Sequence, residues 1–244
     1  MNPPAMRINE ARELGAAIAD QVRAGSIEAA YALLSPVLVH LTPFNTLRAI
    51  GYPVGQAPHA RVDAFNERIA GEKTEGGWVV IAAALEMRLG TDLADALQQS
   101  RKFIRVGDIW YCADILAEGV AGNALVINFD QALPQLETWR FDENHWIRRA
   151  VGVCAHYWAK RSKGKMPRQA GELLAFLDPL FYEKQVEAVK GVGWGLKTIG
   201  RYYPDLLADW LSSMLNKPGG SCRVLMLRKA AAYLPPDRRV ELGV

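Results

Sequence analysis

Trp194 is set among cations on a helix whose apolar face lies elsewhere. At roughly 100° per residue, Trp194 points away from the buried stripe that Val192 and Leu196 predict. An indole in that position can stack on a nucleotide while neighbouring cations neutralise phosphates. The alternative is that Trp194 packs beneath a neighbouring helix or loop. The cations predicted to share its face are Lys190, Lys197 and Arg201.

The helix that carries Trp194 is unusually rich in glycine. Each glycine costs a helix interior about 1 kcal/mol relative to alanine. A helix that keeps several of them is predicted to have another backbone packed closely against it. The glycines are Gly191, Gly193, Gly195 and Gly200.

A second aromatic and a carboxylate share one helix earlier in the chain. Trp110, Asp114 and Glu118 follow one another at four-residue spacing, away from the apolar stripe, and Asp108 is the predicted N-cap. A carboxylate beside an aromatic ring can stabilise a cation that develops during bond cleavage. The alternatives are that Trp110 folds back onto the apolar residues before the helix and that Asp114 is merely solvated.

A further helix carries Trp146 in its apolar stripe and Arg149 at the edge of that stripe. An arginine at such an edge can reach a phosphate at a concave surface. The alternative is a structural arginine paired with Asp142 or Glu143. His156 on the same helix has no evident carboxylate partner and is interpreted as structural.

The chain has 244 residues and 50% hydrophobic content, enough for a sizeable core. It has no apolar run of about 18 residues and no apolar signal core at its start, which predicts a cytoplasmic protein without a membrane span. Its three cysteines, Cys112, Cys154 and Cys222, are predicted to be buried thiols. No Cys or His cluster has metal-ligand spacing, so no metal site is predicted.

Positive charge is concentrated in the later part of the chain. Residues 1–100 carry 8 Lys and Arg against 11 Asp and Glu, whereas residues 101–244 carry 21 against 15. A basic loop between two helices suits phosphate binding, although such a loop can also be merely solvated. Its cations are Lys160, Arg161, Lys163, Lys165 and Arg168.

Helical periodicity dominates the sequence, and no alternating strand pattern is found. Short connections between successive helices predict an all-α fold, an α-solenoid of HEAT-like antiparallel helix pairs. A compact irregular helical domain is the alternative. We expect a single domain over residues 1–244, with mobile tails at 1–6 and 235–244. Motifs of serine hydrolases, P-loop enzymes, Rossmann proteins and zinc peptidases do not occur.

Three segments resemble, in order, blocks of the DNA alkylation repair family, the HEAT-like alkylpurine DNA glycosylases. The resemblance extends over about residues 76 to 232. It implies a right-handed superhelix whose concave basic face holds duplex DNA. Ile109 departs from the pattern, because close family members often carry a second tryptophan there. The segments are DIWYCAD at 108–114, WRFDENHWIRRA at 139–150 and VKGVGWGLKTIGRYYP at 189–204.

Specific roles follow from this resemblance. Asp114 corresponds to the catalytic carboxylate, Trp110 and Trp194 to substrate-binding aromatics, and Arg149 to a DNA-contacting arginine. The expected activity is that of a monofunctional, monomeric DNA glycosylase without a cofactor, which releases cationic N3- and N7-alkylpurines such as 3-methyladenine and 7-methylguanine. The alternatives are a non-catalytic module that binds branched or distorted DNA and a protein-binding scaffold. Further residues predicted to bind DNA are Arg148, Lys190, Lys197, Arg201, Lys160 and Lys163.

Overall fold

The computed structural model describes residues 6–39, 41–218 and 220–243. Within these residues the regular structure is helical and contains no strand, which confirms the all-α prediction. Contacts divide the chain into two compact units, Met1–Gly107 and Asp108–Val244. The single repeat domain over residues 1–244 stays a prediction, and each unit is described by itself. Residues 1–5, most of the predicted first tail, lie outside the described residues.

The first unit arranges its helices in two sets. Helices α1, α3 and α5 contact one another in succession, and so do α2, α4 and α6. Arg88 is fully buried in this unit and pairs with Asp63 and Asp95, both at 2.5 Å. The helices are α1 (Ile8–Ala24), α2 (Ile27–Leu38), α3 (Phe44–Gly55), α4 (His59–Ala70), α5 (Glu75–Glu86) and α6 (Leu93–Gly107).

The second unit begins with a helix that changes type along its length. Helix α7 (Trp110–Leu116) continues as a π-helix (Ala117–Gly122) and then as α8 (Asn123–Ile127). The remaining helices are α9 (Phe129–Gln135), α10 (His145–Ser162), α11 (Pro167–Leu177), α12 (Val186–Tyr202), α13 (Pro204–Leu215), α14 (Val224–Ala230) and α15 (Pro236–Glu241). Short 3-10 helices lie at Glu137–Phe141, Asp178–Tyr182 and Ala231–Tyr233.

Helices α10, α12 and α14 lie side by side, and α11 contacts α13. Helices α10 and α12 run in the same direction, because Arg149 meets Gly191 near their beginnings and His156 meets Trp194 further along. Two parallel helices need a connection that returns across the layer, and α11 supplies it. The main core of the unit lies along these contacts.

Local signals explain where α10 begins and ends. The Asn144 side chain accepts hydrogen bonds from the Trp146 and Ile147 amides, at 2.8 and 3.4 Å. The chain leaves the helix through Lys163 and Gly164, with φ of 48° and 82°. Pro167 then begins α11, so the basic loop predicted between two helices is present here.

Two details differ from the sequence predictions. Residues 236–241, within the predicted C-terminal tail, form α15, and Arg238 of this helix pairs with Asp209 of α13. Cys222 precedes α14 and is only partly buried, whereas Cys112 and Cys154 are buried as predicted. Within the described residues, no helix has both the length and the apolar character needed to cross a membrane.

Candidate active site and nucleic-acid interface

Asp114 and Arg149 form a bidentate ion pair. Arg149 donates through Nε to one carboxylate oxygen of Asp114 at 2.7 Å and through Nη2 to the other at 2.8 Å. The two side chains are 14% and 9% exposed. A planar fork of this kind fixes the plane of the carboxylate, and each oxygen keeps a second lone pair for another partner. Asp114 is thus an oriented carboxylate rather than a solvated one.

Arg149 is held on its other side by Glu187. Its third nitrogen donates to the Glu187 carbonyl at 3.1 Å and lies 3.6 Å from the Glu187 carboxylate. The suggested partners Asp142 and Glu143 are wrong for Arg149. Their carbonyls instead accept from Arg148, because successive side chains of a helix point about 100° apart.

Arg148, a predicted DNA contact, is occupied by structural partners. It pairs with Glu183 at 2.6 Å and is 15% exposed. Burial by itself raises the pKa of Glu183, but hydrogen bonds from Arg148 and from the Gln185 and Lys184 amides outweigh burial and lower it. This pair connects α10 to the start of α12.

Trp110 is the first residue of α7 and is 52% exposed. The prediction that Asp108 caps this helix is wrong. Asp108 has a φ of 49°, Ile109 is the N-cap, and the Asp108 carboxylate accepts from the Trp146 indole at 2.9 Å. The assignment of Trp146 to the core stripe is also wrong, since this ring is only partly buried and turns its N–H toward Asp108. Trp146 therefore fixes the start of the helix that carries Trp110.

The π-helix lies directly after the turn that carries Asp114. Such insertions widen the helix and often occur at functional sites. Here the widened segment packs against α10, where Gly122 meets the Tyr157 side chain and the Cys154 thiol donates to the Ala117 carbonyl at 3.7 Å. The regular four-residue column from Trp110 to Glu118 is interrupted, because the helical phase changes after Leu116.

Trp194 is partly buried and stacks on His156. The ring centroids are 3.9 Å apart and the planes are inclined by 25°. Nδ1 of His156 lies 2.7 Å from the Thr198 hydroxyl, which donates to the Trp194 carbonyl at 3.0 Å. Burial and the charge of Lys160 lower the pKa of His156 to about 4, so the stacked ring is neutral near pH 7. One face of the indole is thus supported by a neutral ring.

The predicted close backbone neighbour is present at Gly191 and Gly195 of α12, whereas the nearest atoms at Gly193 and Gly200 belong to side chains. A Cβ on Gly191 would lie 2.6 Å from the Arg149 carbonyl oxygen, and one on Gly195 would overlap the Gly152 carbonyl. Backbone of α10 therefore presses on α12 at both positions. Gly193 faces a side chain instead, because its Cβ would lie 2.8 Å from Cδ of Lys229. Together these contacts bring Arg149 and Lys229 onto α12.

Comparison with protein families identifies the chain. The sequence profile of the family described as DNA alkylation repair enzyme matches residues 54–234, well over half of the protein. The chain belongs to the DNA alkylation repair enzyme family. The match includes all of α7, α10 and α12. These helices carry the four predicted site residues, Trp110, Asp114, Arg149 and Trp194. A search of curated proteins gives no significant match.

In this DNA alkylation repair family member, the cations near Trp194 have different partners. Lys190 pairs with Glu187 at 2.6 Å. Lys197 and Arg201 lie over the Tyr233 ring, 4.8 and 5.4 Å from its centroid. Among the described residues, neither Lys197 nor Arg201 makes an ion pair. The predicted loop cations Lys160 and Lys163 are exposed.

The sequence reasoning missed Lys229, which lies on α14 beside Gly193. Burial and the nearby cations Lys197, Arg149 and Lys190 lower its pKa. Sequence spacing contained no signal for it, because α14 and α12 are brought together only by packing. In this family member, Lys229 adds positive charge next to the Trp194 helix.

The described residues also contain one group with metal-ligand spacing, in the first unit. His59, Asp92 and Asp95 place ligand atoms within 4.8 Å of one another. The Asp95 carboxylate is already paired with the buried Arg88, so a metal cation there would meet a resident positive charge. The sequence prediction that the family member has no metal site stays a prediction.

Proposed function

We propose that the protein is a DNA glycosylase that hydrolyses the N-glycosidic bond of positively charged N3- and N7-alkylpurines in duplex DNA. The observation that carries this proposal is the Asp114 carboxylate, held by both oxygens on Arg149, in a helix that begins with the exposed Trp110. Membership of the DNA alkylation repair family supports a role in repair of alkylated DNA.

The chemistry requires stabilisation of a sugar cation. As the bond from C1′ to the purine nitrogen breaks, both electrons go to the base, which leaves neutral, and the deoxyribose gains oxocarbenium character. The fixed carboxylate of Asp114 stabilises this charge, and an indole face adds cation-π attraction. Water then forms the new bond to C1′ and releases its proton. The alkylated base is already activated, so a strong general acid is not required.

We further propose that the fold is a HEAT-like superhelix that acts as a monomer in the cytoplasm. The side-by-side arrangement of α10, α12 and α14 supports this proposal within the second unit, since alternate helices of a repeat array form one layer. The similar arrangement of α1, α3 and α5 supports it in the first unit.

Base release from methylated DNA tests the enzyme proposal. We expect the native protein to release 3-methyladenine or 7-methylguanine and Asp114→Asn to release either base at least about a hundredfold more slowly, since a preorganised electrostatic partner contributes on that order. Asp130→Asn is the matched control, because Asp130 is an exposed carboxylate in the same unit. Equal rates for native protein and Asp114→Asn would overturn the proposed role.

Substitution of the aromatic residues provides a second test. Trp194→Ala is expected to weaken binding to a duplex with a cationic lesion more than binding to intact duplex, because the ring recognises the cation. Trp110→Ala should act in the same direction, and its exposure makes a folding defect a poor explanation. Equal weakening of both duplexes would contradict a role in lesion recognition.

The second candidate function is a non-catalytic DNA-binding module. Lys197 and Arg201 favour it, because the partly buried Lys197 and the exposed Arg201 lie beside Tyr233 without a carboxylate partner among the described residues. Such a module would bind branched or distorted DNA with a steep salt dependence and would produce no abasic sites. A protein-binding scaffold would instead bind no DNA at moderate salt.

A further inference from the structure

Lys229 reaches α12 from a different helix and lies at Gly193, a glycine that no α10 backbone approaches. A Cβ on Gly193 would lie 2.8 Å from Cδ and 2.9 Å from Cβ of Lys229, so the lysine stem runs directly over the glycine. Lys190 and Lys197 lie on the same face of α12, one turn to either side of Gly193 and Trp194. The ammonium group of Lys229 is thereby brought toward other cations.

The carboxylates nearby do not balance these charges. Asp114 and Glu187 are engaged by Arg149, and Glu187 also pairs with Lys190. Among the described residues, no carboxylate pairs with Lys229 or with Lys197. Lys229 therefore feels the charge of Lys197, and Lys197 has the Tyr233 ring but no carboxylate to offset its charge.

Such an arrangement is unfavourable without an anion. Like charges at close range destabilise one another, and partial burial removes some of the water that would screen them. The lowered pKa of Lys229 reflects burial and the charges of Lys197, Arg149 and Lys190. A bound anion would relieve this repulsion, and a phosphate diester carries one negative charge and two unesterified oxygens, one for each lysine.

We propose that Lys229 and Lys197 hold one phosphate of the DNA backbone beside Trp194. The site deepens the proposed function, on which it rests for the identity of its ligand. A backbone phosphate fixed next to the indole would set the position of the strand along α12 without reading its sequence. Gly193 is needed because a larger residue would displace the Lys229 stem.

The salt dependence of binding to an undamaged duplex tests this site independently of catalysis. The slope of log K against log salt is negative, and loss of one phosphate contact makes it less steep by about 0.9. We expect Lys229→Gln to reduce the steepness by about that amount and to weaken lesion-containing and intact duplexes equally. Gly193→Ala should have the same effect although it removes no charge, because the added methyl group displaces the Lys229 side chain. Arg228→Gln, an exposed cation of α14, is the matched control.

An unchanged slope in Lys229→Gln, or the same change in Arg228→Gln, would overturn the proposal. Base release is not part of this experiment. A protein that releases no base but still shows the reduced slope in Lys229→Gln would count against the proposed function alone.

A second measurement addresses the site even if no duplex is bound. Acetylation of lysines by an N-hydroxysuccinimide ester, at constant ionic strength, is followed by mass spectrometry with duplex DNA or inorganic pyrophosphate as the probe. Selective protection of Lys229 relative to Lys73, an exposed lysine of the first unit, by the duplex alone supports a DNA phosphate. Protection by both probes supports the site as a general phosphate site. Protection by neither overturns it.

Discussion

At the residue scale, the site depends on side chains that orient other side chains. Arg149 fixes both oxygens of Asp114, and His156 supports one face of Trp194. Neither partner needs to touch the substrate for these effects. The geometry of each pair makes distinct predictions about charge and pH.

Arg149→Lys keeps the positive charge but loses the planar fork. We expect base release to fall at least about tenfold, because the Asp114 carboxylate is no longer held in one plane. Binding to intact duplex should change little. The measurement is single-turnover release alongside equilibrium binding. If instead Arg149 acts mainly on a phosphate, binding to intact duplex should weaken and single-turnover release from the bound complex should be retained.

His156 predicts a loss of stability in acid. Its pKa is lowered from 6.5 to about 4 in the folded protein, so between these values the unfolded chain binds a proton that the folded chain does not. The contribution of the neutral histidine to the free energy of unfolding is fully present above pH 6.5. It is lost as the pH decreases to about 4, by about 3 kcal/mol in total. Denaturant unfolding from pH 7 to 4 measures it. His156→Gln should lack this part of the pH dependence.

At the element scale, α10 and α12 pack at backbone distance, and this contact aligns the two halves of the site. Gly152 of α10 and Gly195 of α12 allow it, since a Cβ at either position would overlap backbone of the other helix. Asp114, which lies on α7, enters this arrangement through its pair with Arg149. The helix contact therefore positions the carboxylate as well as the indole.

Gly152→Ala is expected to destabilise the protein by about 2 kcal/mol or more, because the added methyl group must separate backbone that is already in contact. Gly171→Ala is the control. It lies inside α11 with nothing within 4 Å of the added Cβ, and should stabilise by up to about 1 kcal/mol through helix propensity. Urea unfolding compares them. Similar effects of the two substitutions would show that helix propensity, not packing, governs Gly152.

At the scale of the whole molecule, charge and packing are divided between different parts of the chain. Residues 101–244 hold the excess of Lys and Arg, and the candidate site lies in the second unit. The first unit has its own buried ion network, centred on the fully buried Arg88. This division predicts that the two units can be destabilised separately.

Arg88→Met leaves Asp63 and Asp95 without their buried partner and is expected to destabilise the first unit by about 3 kcal/mol. Native-state hydrogen exchange should show faster exchange in α4 to α6, with a smaller change in α10 and α12. Arg61→Met, at an exposed arginine of α4, is the control. Equal acceleration in both units would indicate a single cooperative unit.

Helical periodicity in the sequence predicted the all-α fold, since the spacing of apolar residues is a local property of each segment. The same reasoning predicted a close backbone neighbour for the glycines of α12. Spacing on the helices singled out Trp110, Asp114, Arg149 and Trp194. The family resemblance then implied their roles, and the family match now supports the resemblance itself. Their proposed roles await the experiments above.

Tertiary structure alone decided which side chains meet. The pairing of Arg149 with Asp114, the contact of Trp146 with Asp108 and the position of Lys229 over Gly193 join residues that are 35, 38 and 36 positions apart. Periodicity assigns a residue to a face of its own helix. It does not specify which neighbouring helix covers that face, or which residues of the two helices lie at the same level along their axes. Those are set by packing of the assembled helices, which explains why charge pairing and the environment of Lys229 were visible only in the folded protein.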